Sequence, residues 1–117
     1  MARISTHVLD TSRGIPASGV TIDLHEHKNG ERIHVRRAVT NSDGRTAEPL
    51  LAGDILETGV YELIFHAGDY FRGRGMSLPV PPFVDVVVLD FGIADAAGHY
   101  HVPLLVSPWS YSTYRGS

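Results

Sequence analysis

The chain has 117 residues, enough for one domain with a hydrophobic core, and 43% of them are hydrophobic, which excludes a disordered protein. Cysteine is absent, so disulfides, thiol catalysis and cysteine-ligated zinc are excluded. A formal net charge of −3 lacks the basic excess of a nucleic-acid-binding protein, and no apolar run could cross a membrane. Seven histidines against ten lysines and arginines are unusual, and they point to chemistry near neutral pH.

The sequence predicts a single domain over residues 1–117, because no internal repeat and no linker-like segment interrupts it. The opening residues contain no apolar segment of the kind found in secretory signals, and the closing Arg-Gly-Ser is not the peroxisomal Ser-Lys-Leu address. We therefore expect a cytoplasmic protein with no membrane and no nucleic-acid partner.

Twelve glycines and seven prolines divide the chain into short segments, which is typical of an all-β domain. Apolar and polar residues alternate or cluster in strand-like runs at 4–9, 20–25, 32–40, 60–65, 84–91, 100–106 and 111–115, with a weaker candidate at 48–55. Asn29-Gly30 is a strong signal for a hairpin turn, and the segment 14–16 interrupts the strand pattern. The segment 67–72 lacks a two-residue period, so we expect one or two helical turns there. The pattern favours a two-sheet β-sandwich of seven to eight short strands with one short helix; a small open barrel is the alternative.

One predicted strand, 84–91, is apolar on both faces, so we expect both of its faces to be covered. Together with the apolar strand at 102–106, it leaves more apolar surface than one thin sandwich can hide. We therefore expect another subunit to cover part of the sheet.

Two pairs of histidines are spaced two residues apart, which in a strand puts both side chains on one face, about 7 Å apart at Cα. Such a pair can supply two metal ligands or two acid–base groups. His25 and His27 lead into the Asn29-Gly30 turn within a polar segment, which favours a solvated strand face. His99 and His101 border an apolar face, where partial desolvation would tune a histidine pKa; structural and functional roles fit them equally.

His7, Arg45 and the C-terminal segment are further candidates. His7 lies three residues before Asp10, and strand positions three apart face opposite ways, which argues against a Ser-His-Asp triad. No Gly-x-Ser-x-Gly elbow is present either. Arg45 follows an Asp-Gly turn and is either a solvated loop arginine or a clamp for a carbonyl oxygen. Segment 111–117 carries two tyrosines in strand-like alternation, typical of an edge strand with a frayed end.

Several of these segments together resemble the 5-hydroxyisourate hydrolases, the enzymatic branch of the transthyretin-like proteins. The opening motif is Ser-Thr-His-Val-Leu-Asp-Thr at 5–11, followed by Gly-x-Pro-Ala at 14–17. The middle motif is Thr-Asn-x-Asp-Gly-Arg at 40–45, and the closing signature is His-Tyr-His-Val-Pro-Leu-Leu-Val-Ser-Pro at 99–108. The terminal Tyr-Ser-Thr-Tyr-Arg-Gly-Ser is the most specific piece, because it separates the hydrolases from the hormone-carrying transthyretins. The resemblance covers essentially the whole chain.

The resemblance implies a transthyretin-like sandwich assembled as a homotetramer around a central channel that holds the active sites. It implies hydrolysis of 5-hydroxyisourate to 2-oxo-4-hydroxy-4-carboxy-5-ureidoimidazoline in urate degradation, without a cofactor or metal. The implied catalytic residues are His7, Arg45, His101 and the C-terminal Ser117. The implied substrate-binding residues are Tyr111, Tyr114, Arg115 and His99. Which of His7 and His101 is the general base stays open.

Two alternatives remain at this stage. A zinc-dependent hydrolase could use His99, His101 and a third ligand such as His7, since two histidines on a strand plus one more is a known zinc pattern. A non-enzymatic carrier of a small apolar ligand could use the same architecture, because a fold does not fix a function. A carrier has no need of His7, Arg45, His101 and Ser117 together.

Overall fold

Two β-sheets with a shared apolar core make up most of the computed structural model, which describes residues 1–117. The elements in chain order are β1 (Ala2–Asp10), β2 (Ile15–Pro16), β3 (Thr21–Lys28), β4 (Glu31–Val39), β5 (Leu51–Gly53), β6 (Gly59–His66), α1 (Ala67–Gly73), β7 (Val86–Ile93), β8 (His99–Val106) and β9 (Tyr111–Thr113). No helix is long and apolar enough to cross a membrane. The predicted two-sheet β-sandwich with one short helix is confirmed.

The five-stranded sheet brings the two ends of the chain together. Its order is β2-β1-β8-β9, with β5 also paired to β1. β1 and β8 run parallel, from Arg3 opposite His99 to Asp10 opposite Val106. The other sheet has the order β4-β3-β6-β7, and all of its strand pairs are antiparallel. The motif that opens the chain, on β1, therefore lies beside β8, the strand near the end of the chain that carries His99 and His101.

Strand alternation decides which side chains enter the core. In β1, Ile4, Thr6 and Val8 are buried, whereas Ser5 and His7 between them are partly exposed on the other face. The same two-residue period in the other strands contributes to a core of 23 buried apolar residues. Because β1 is buried on its inner face, its register is fixed, and so is the outward direction of Ser5 and His7.

The structure has nine strands, not seven or eight. The additional short strand is Ile15–Pro16, which pairs with the end of β1 where the sequence indicated a break. The last strand ends at Thr113, two residues earlier than expected. The strand expected at 84–91 begins at Val86, and one chain covers only one of its faces: Val86 and Val88 point outward and are each 48% exposed.

Candidate active site

A small pocket lies on the outer face of the five-stranded sheet, over β1 and β8. The parallel register places Arg3 of β1 opposite His99 of β8, and Ser5 opposite His101. These four side chains share one face because they alternate with buried neighbours. The pocket has a volume of about 230 Å³ and is lined by Arg3, Ser5, Arg45, His99, His101 and Ser117.

Arg45 reaches this pocket from a turn that is attached to β1. The side-chain oxygen of Asn41, Oδ1, accepts hydrogen bonds from the backbone N–H of Asp43 at 2.9 Å and of Arg45 at 3.2 Å. The backbone N–H of Val8 donates to the carbonyl oxygen of Gly44 at 2.8 Å. The turn is therefore held at both its base and its tip, which directs Arg45 to a fixed place.

Gly44 is required by this attachment, so its replacement is a test of the turn. Its φ is 75°, and a Cβ built there would lie 2.3 Å from the carbonyl oxygen of Val8. We expect Gly44→Ala to lower the free energy of unfolding by about 2 kcal/mol or more, because strain and a backbone clash add. Urea denaturation measures this, with Gly14→Ala as control, since Gly14 also has positive φ but nothing within 4 Å of a built Cβ. Equal losses in the two variants would contradict a specific role for the contact with Val8.

The C-terminus is tied to β8 from two directions. The backbone N–H of Gly116 donates to the carbonyl oxygen of His101 at 2.8 Å. The Arg115 guanidinium lies 4.2 Å from the centre of the Tyr100 ring, and its Nη2 donates to the carbonyl oxygen of His99 at 3.2 Å. These contacts of Arg115 and Gly116 hold the segment that precedes Ser117, and they therefore position Ser117 in the lining of the pocket.

His101 is the histidine whose environment is set most clearly. A 2.8 Å hydrogen bond joins its Nδ1 to the Ser5 hydroxyl, which fixes the ring orientation and leaves Nε2 available. Partial burial holds the pKa of His101 below its ordinary value, and the electrostatic effects of Arg45, His7 and Arg3 lower it further. The imidazole is consequently neutral near pH 7 and able to accept a proton.

His7 lies on the same outer face, one register step beyond the pocket. It is opposite Pro103, and it contributes to the lowered pKa of His101, although it does not line the pocket itself. Asp10 points the other way: its carboxylate is buried and accepts hydrogen bonds from the Tyr70 hydroxyl at 2.8 Å and from Ser12. The argument from spacing against a His7–Asp10 pair is therefore consistent with the geometry.

The structure does not bring the tyrosines of the tail to this pocket within one chain. Tyr114 and Arg115 line a different cleft of about 430 Å³, beside Tyr100 and residues of β7. Tyr111 is about half exposed on β9. His99 does line the pocket, and its Nε2 is in contact with the carbonyl oxygen of Met1.

Sequence reasoning missed Arg3 and Ser5. Both precede His7 at two-residue intervals in a strand, so they share its face, and that alternation was the available signal. Their position opposite His99 and His101 depends on pairing between strands about 96 residues apart, as the 2.8 Å bond between Ser5 and His101 shows.

Two sequence-based hypotheses about histidines, the solvated pair at 25 and 27 and the zinc ligand set, do not agree with the structure. The pair at 25 and 27 does not form a fully solvated face, because the side chain of His25 is only 17% exposed and lies against the buried Glu62. The ligand set of the zinc alternative, with His7 and the pair at 99 and 101, does not converge in the structure. The one group of three close potential metal ligands consists of His27, Glu62 and Asp90, in the other sheet.

Comparison with known proteins places the chain in context. The model of the HIUase/Transthyretin family matches residues 4–116. The 5-hydroxyisourate hydrolase of Ralstonia nicotianae is 57% identical over 117 residues, covering 100% of both chains. The solved structure of an (S)-allantoin synthase has a TM-score of 0.92 and 46% identity over 99% of this chain, which spans 44% of that longer chain. The 5-hydroxyisourate hydrolase of Klebsiella pneumoniae has a TM-score of 0.82 and 36% identity, covering 100% of both chains. On these matches, the chain belongs to the HIUase/transthyretin family.

Proposed function

We propose that this chain hydrolyses 5-hydroxyisourate, the substrate in the names of its relatives, and that the product is 2-oxo-4-hydroxy-4-carboxy-5-ureidoimidazoline. The observation that carries the proposal is the convergence of His101, Arg45 and Ser117 on one pocket, although they come from three distant parts of the chain. Hydrolysis of a cyclic amide needs a base for water, a stabiliser for the oxyanion and a proton donor for the leaving nitrogen. The pocket contains groups for each of these tasks.

His101 is the general base in this proposal. Its Nδ1 is held by Ser5, so Nε2 takes a proton from water as the water oxygen attacks the ring carbonyl carbon. The lowered pKa keeps the imidazole neutral before the reaction. When the ring C–N bond breaks, the imidazolium returns the proton to the leaving nitrogen, so protons balance over the cycle.

Arg45 and Arg3 stabilise the negative charge that develops on the carbonyl oxygen. Both residues line the pocket, and a guanidinium group presents a fork of N–H donors that suits a developing oxyanion. Ser117 also lines the pocket and offers a hydroxyl that positions the water and the ring. His99 lines the pocket and His7 lies one register step beyond it on the same face, so both are placed to bind polar groups of the substrate. No metal ion or cofactor takes part in these steps.

A carrier of an apolar ligand fits this pocket poorly. All six lining residues are polar or charged, whereas small-ligand carrier sites are mostly apolar. A zinc hydrolase built on His7, His99 and His101 is also disfavoured, because these side chains do not converge as a ligand group.

The direct experiment is to generate 5-hydroxyisourate in situ from urate with urate oxidase and to follow the decay of its ultraviolet absorbance. We expect purified protein to accelerate the decay in proportion to its concentration, with and without EDTA. A decay rate equal to that of the spontaneous reaction would contradict the proposed activity. Loss of activity in EDTA and recovery on adding zinc would favour the metal-dependent alternative.

The pH dependence of the reaction follows from the electrostatics of His101. A histidine whose folded pKa is lowered stays in its basic form at acidic pH where an ordinary imidazole, with a pKa of about 6.5, is protonated. We expect the acid limb of kcat/KM to lie below pH 6.5, the ordinary imidazole value. Activity is then lost as the pH falls through the lowered pKa of His101. Arg3→Gln removes a positive charge, so it raises the pKa of His101 and moves the acid limb to higher pH. Arg74→Gln, at the end of α1, is the control; an unmoved limb in Arg3→Gln would contradict the role of His101.

We further propose a homotetramer whose sites lie in a channel between subunits. Two features support association: the outward valines of β7, Val86 and Val88, are half exposed, and β7 is an edge strand with unpaired backbone groups. Light scattering should give about 51 kDa, which is four copies of the 12.8 kDa chain. Arg substitution at Val88 should lower that mass, since it puts a charge into the covered face. A light-scattering mass equal to that of one chain at micromolar concentration would contradict the proposed channel between subunits. The active site would then be formed by a single chain.

A further inference from the structure

The outer face of the four-stranded sheet carries a second concentration of titratable groups, remote from the pocket over β1 and β8. Two buried carboxylates, Asp23 and Glu62, lie on this face. Asp23 is fully partnered: Arg37 donates two hydrogen bonds to it, and His34 and His66 each lie 3.0 Å from one of its oxygens. The hydrogen bonds of Asp23 therefore explain why its carboxylate is stable when buried. The burial of Glu62 is not explained in the same way.

One oxygen of Glu62 accepts hydrogen bonds from the protein, whereas the other accepts none from it. Its side chain is 8% exposed, and Arg32 donates from both Nε and Nη2 to the same oxygen, Oε1, with 2.9 Å from Nε. The other oxygen, Oε2, lies 3.7 Å from Nε2 of His27. That same nitrogen lies 3.4 Å from Oδ1 of Asp90. Both separations are longer than an ordinary hydrogen bond.

The 3.4 Å separation falls within the range of distances between neighbouring ligands of a tetrahedral metal ion, and the 3.7 Å separation is slightly longer. Zinc binds imidazole nitrogen and carboxylate oxygen at about 2.0–2.2 Å, which puts tetrahedral ligand atoms about 3.3–3.6 Å from each other. One ligand atom each of His27, Glu62 and Asp90 lies within 4.8 Å of the other two. Small side-chain movements would close the set around one ion.

Charge and access also fit a divalent cation. Two carboxylates meet one guanidinium, that of Arg32, so the cluster has an uncompensated negative charge when His27 is neutral. Asp90 is 61% exposed in the single chain and lies beyond Val88 along the outward face of β7, so an ion can reach the group from the end of that face that the valines do not occupy. Arg32 holds Glu62 through Oε1, which is the second-sphere support that metal-binding carboxylates commonly have.

A second observation points to a missing ligand. Nδ1 of His25 is buried, has no hydrogen-bond partner and lies 3.8 Å from Oε1 of Glu62. A buried ring nitrogen without a partner is costly, and water ordered by a nearby metal ion would supply one.

We propose that His27, Glu62 and Asp90 form a zinc site, with Nε2, Oε2 and Oδ1 as ligands and water in the fourth position. The three ligands come from β3, β6 and β7, so the ion would tie the edge strand β7 to the interior of its sheet. Since the proposed reaction takes place on the other sheet, the site would stabilise the protein and take no part in hydrolysis.

Isothermal titration with Zn²⁺, in a His101→Asn background so that the histidine of the pocket is removed, tests the proposal. We expect one ion bound per chain and a higher Tm in its presence. His27→Gln and Asp90→Asn should each weaken zinc binding by at least about tenfold and abolish the rise in Tm. His34→Gln is the matched control, because His34 lies on the same face but bonds to Asp23, and it should bind zinc like the parent.

Asp90→Asn keeps the test decisive even if His27→Gln fails to fold, because Asp90 is exposed on an edge strand. Absence of zinc binding in the parent would overturn the proposal and leave His27 as a neighbour of two carboxylates only. Undiminished binding in both ligand variants, or equal loss in His34→Gln, would also overturn it, since the ion would then be bound elsewhere on the histidine-rich face.

Discussion

Replacing His101 by asparagine is expected to lower kcat for 5-hydroxyisourate by about 10²–10⁴-fold, the usual cost of losing a general base. Asparagine cannot take a proton from water, although its side chain can keep a hydrogen bond to Ser5. The fold should persist, because His101 is a partly exposed outward residue and not a member of the apolar core. In situ generation of the substrate and stopped-flow absorbance give kcat directly.

His34→Asn is the control for His101→Asn, because it removes an imidazole from the other sheet and should leave kcat within about twofold of the parent. Equal far-ultraviolet circular dichroism and equal Tm in the two variants would assign the loss to chemistry. A near-normal kcat in His101→Asn would transfer the role of base to His7, the other histidine of this face.

Much of the fold could be predicted because local chemistry fixes it. Asn29 and Gly30 adopt φ of 54° and 78°, the two positive values that a tight hairpin needs, and β3 and β4 flank them as expected. The segment without a two-residue period became α1. Strand ends were less predictable: Ile15 and Pro16 pair with β1 because the chain turns back at Gly14, and nothing in their own alternation signals it.

The site was predictable in residue type more than in arrangement. His101, Arg45 and Ser117 were named from motifs, and the structure brings them together. Alternation with His7 indicates which face Arg3 lies on, but its position opposite His99 depends on the register between β1 and β8, which no local pattern specifies. Tyr114 lies elsewhere for a similar reason: the tail leaves β9 after Thr113 and presents Tyr114 to a cleft shared with β7.

Removal of Gly116 and Ser117 is the second change for which we expect a large loss of activity. These residues hold the last segment of the chain against His101, the proposed base. Gly116 donates to the His101 carbonyl, and a Cβ on Gly116 would lie 2.6 Å from Cδ2 of the His101 ring. The closest approach of tail and imidazole therefore requires glycine. Ser117 follows directly and lines the pocket.

Deletion of Gly116 and Ser117 is expected to lower kcat/KM by about 100-fold, since misplacing a positioning group by about 1 Å has an effect of that size. Stability should change little, because the deletion removes one backbone hydrogen bond, which contributes about 1 kcal/mol. Ser117→Ala removes the hydroxyl and keeps the backbone, so it measures how much of the loss comes from that side chain. Activity in the truncated chain equal to that of the full chain, at unchanged Tm and oligomer mass, would contradict any role of the tail in hydrolysis.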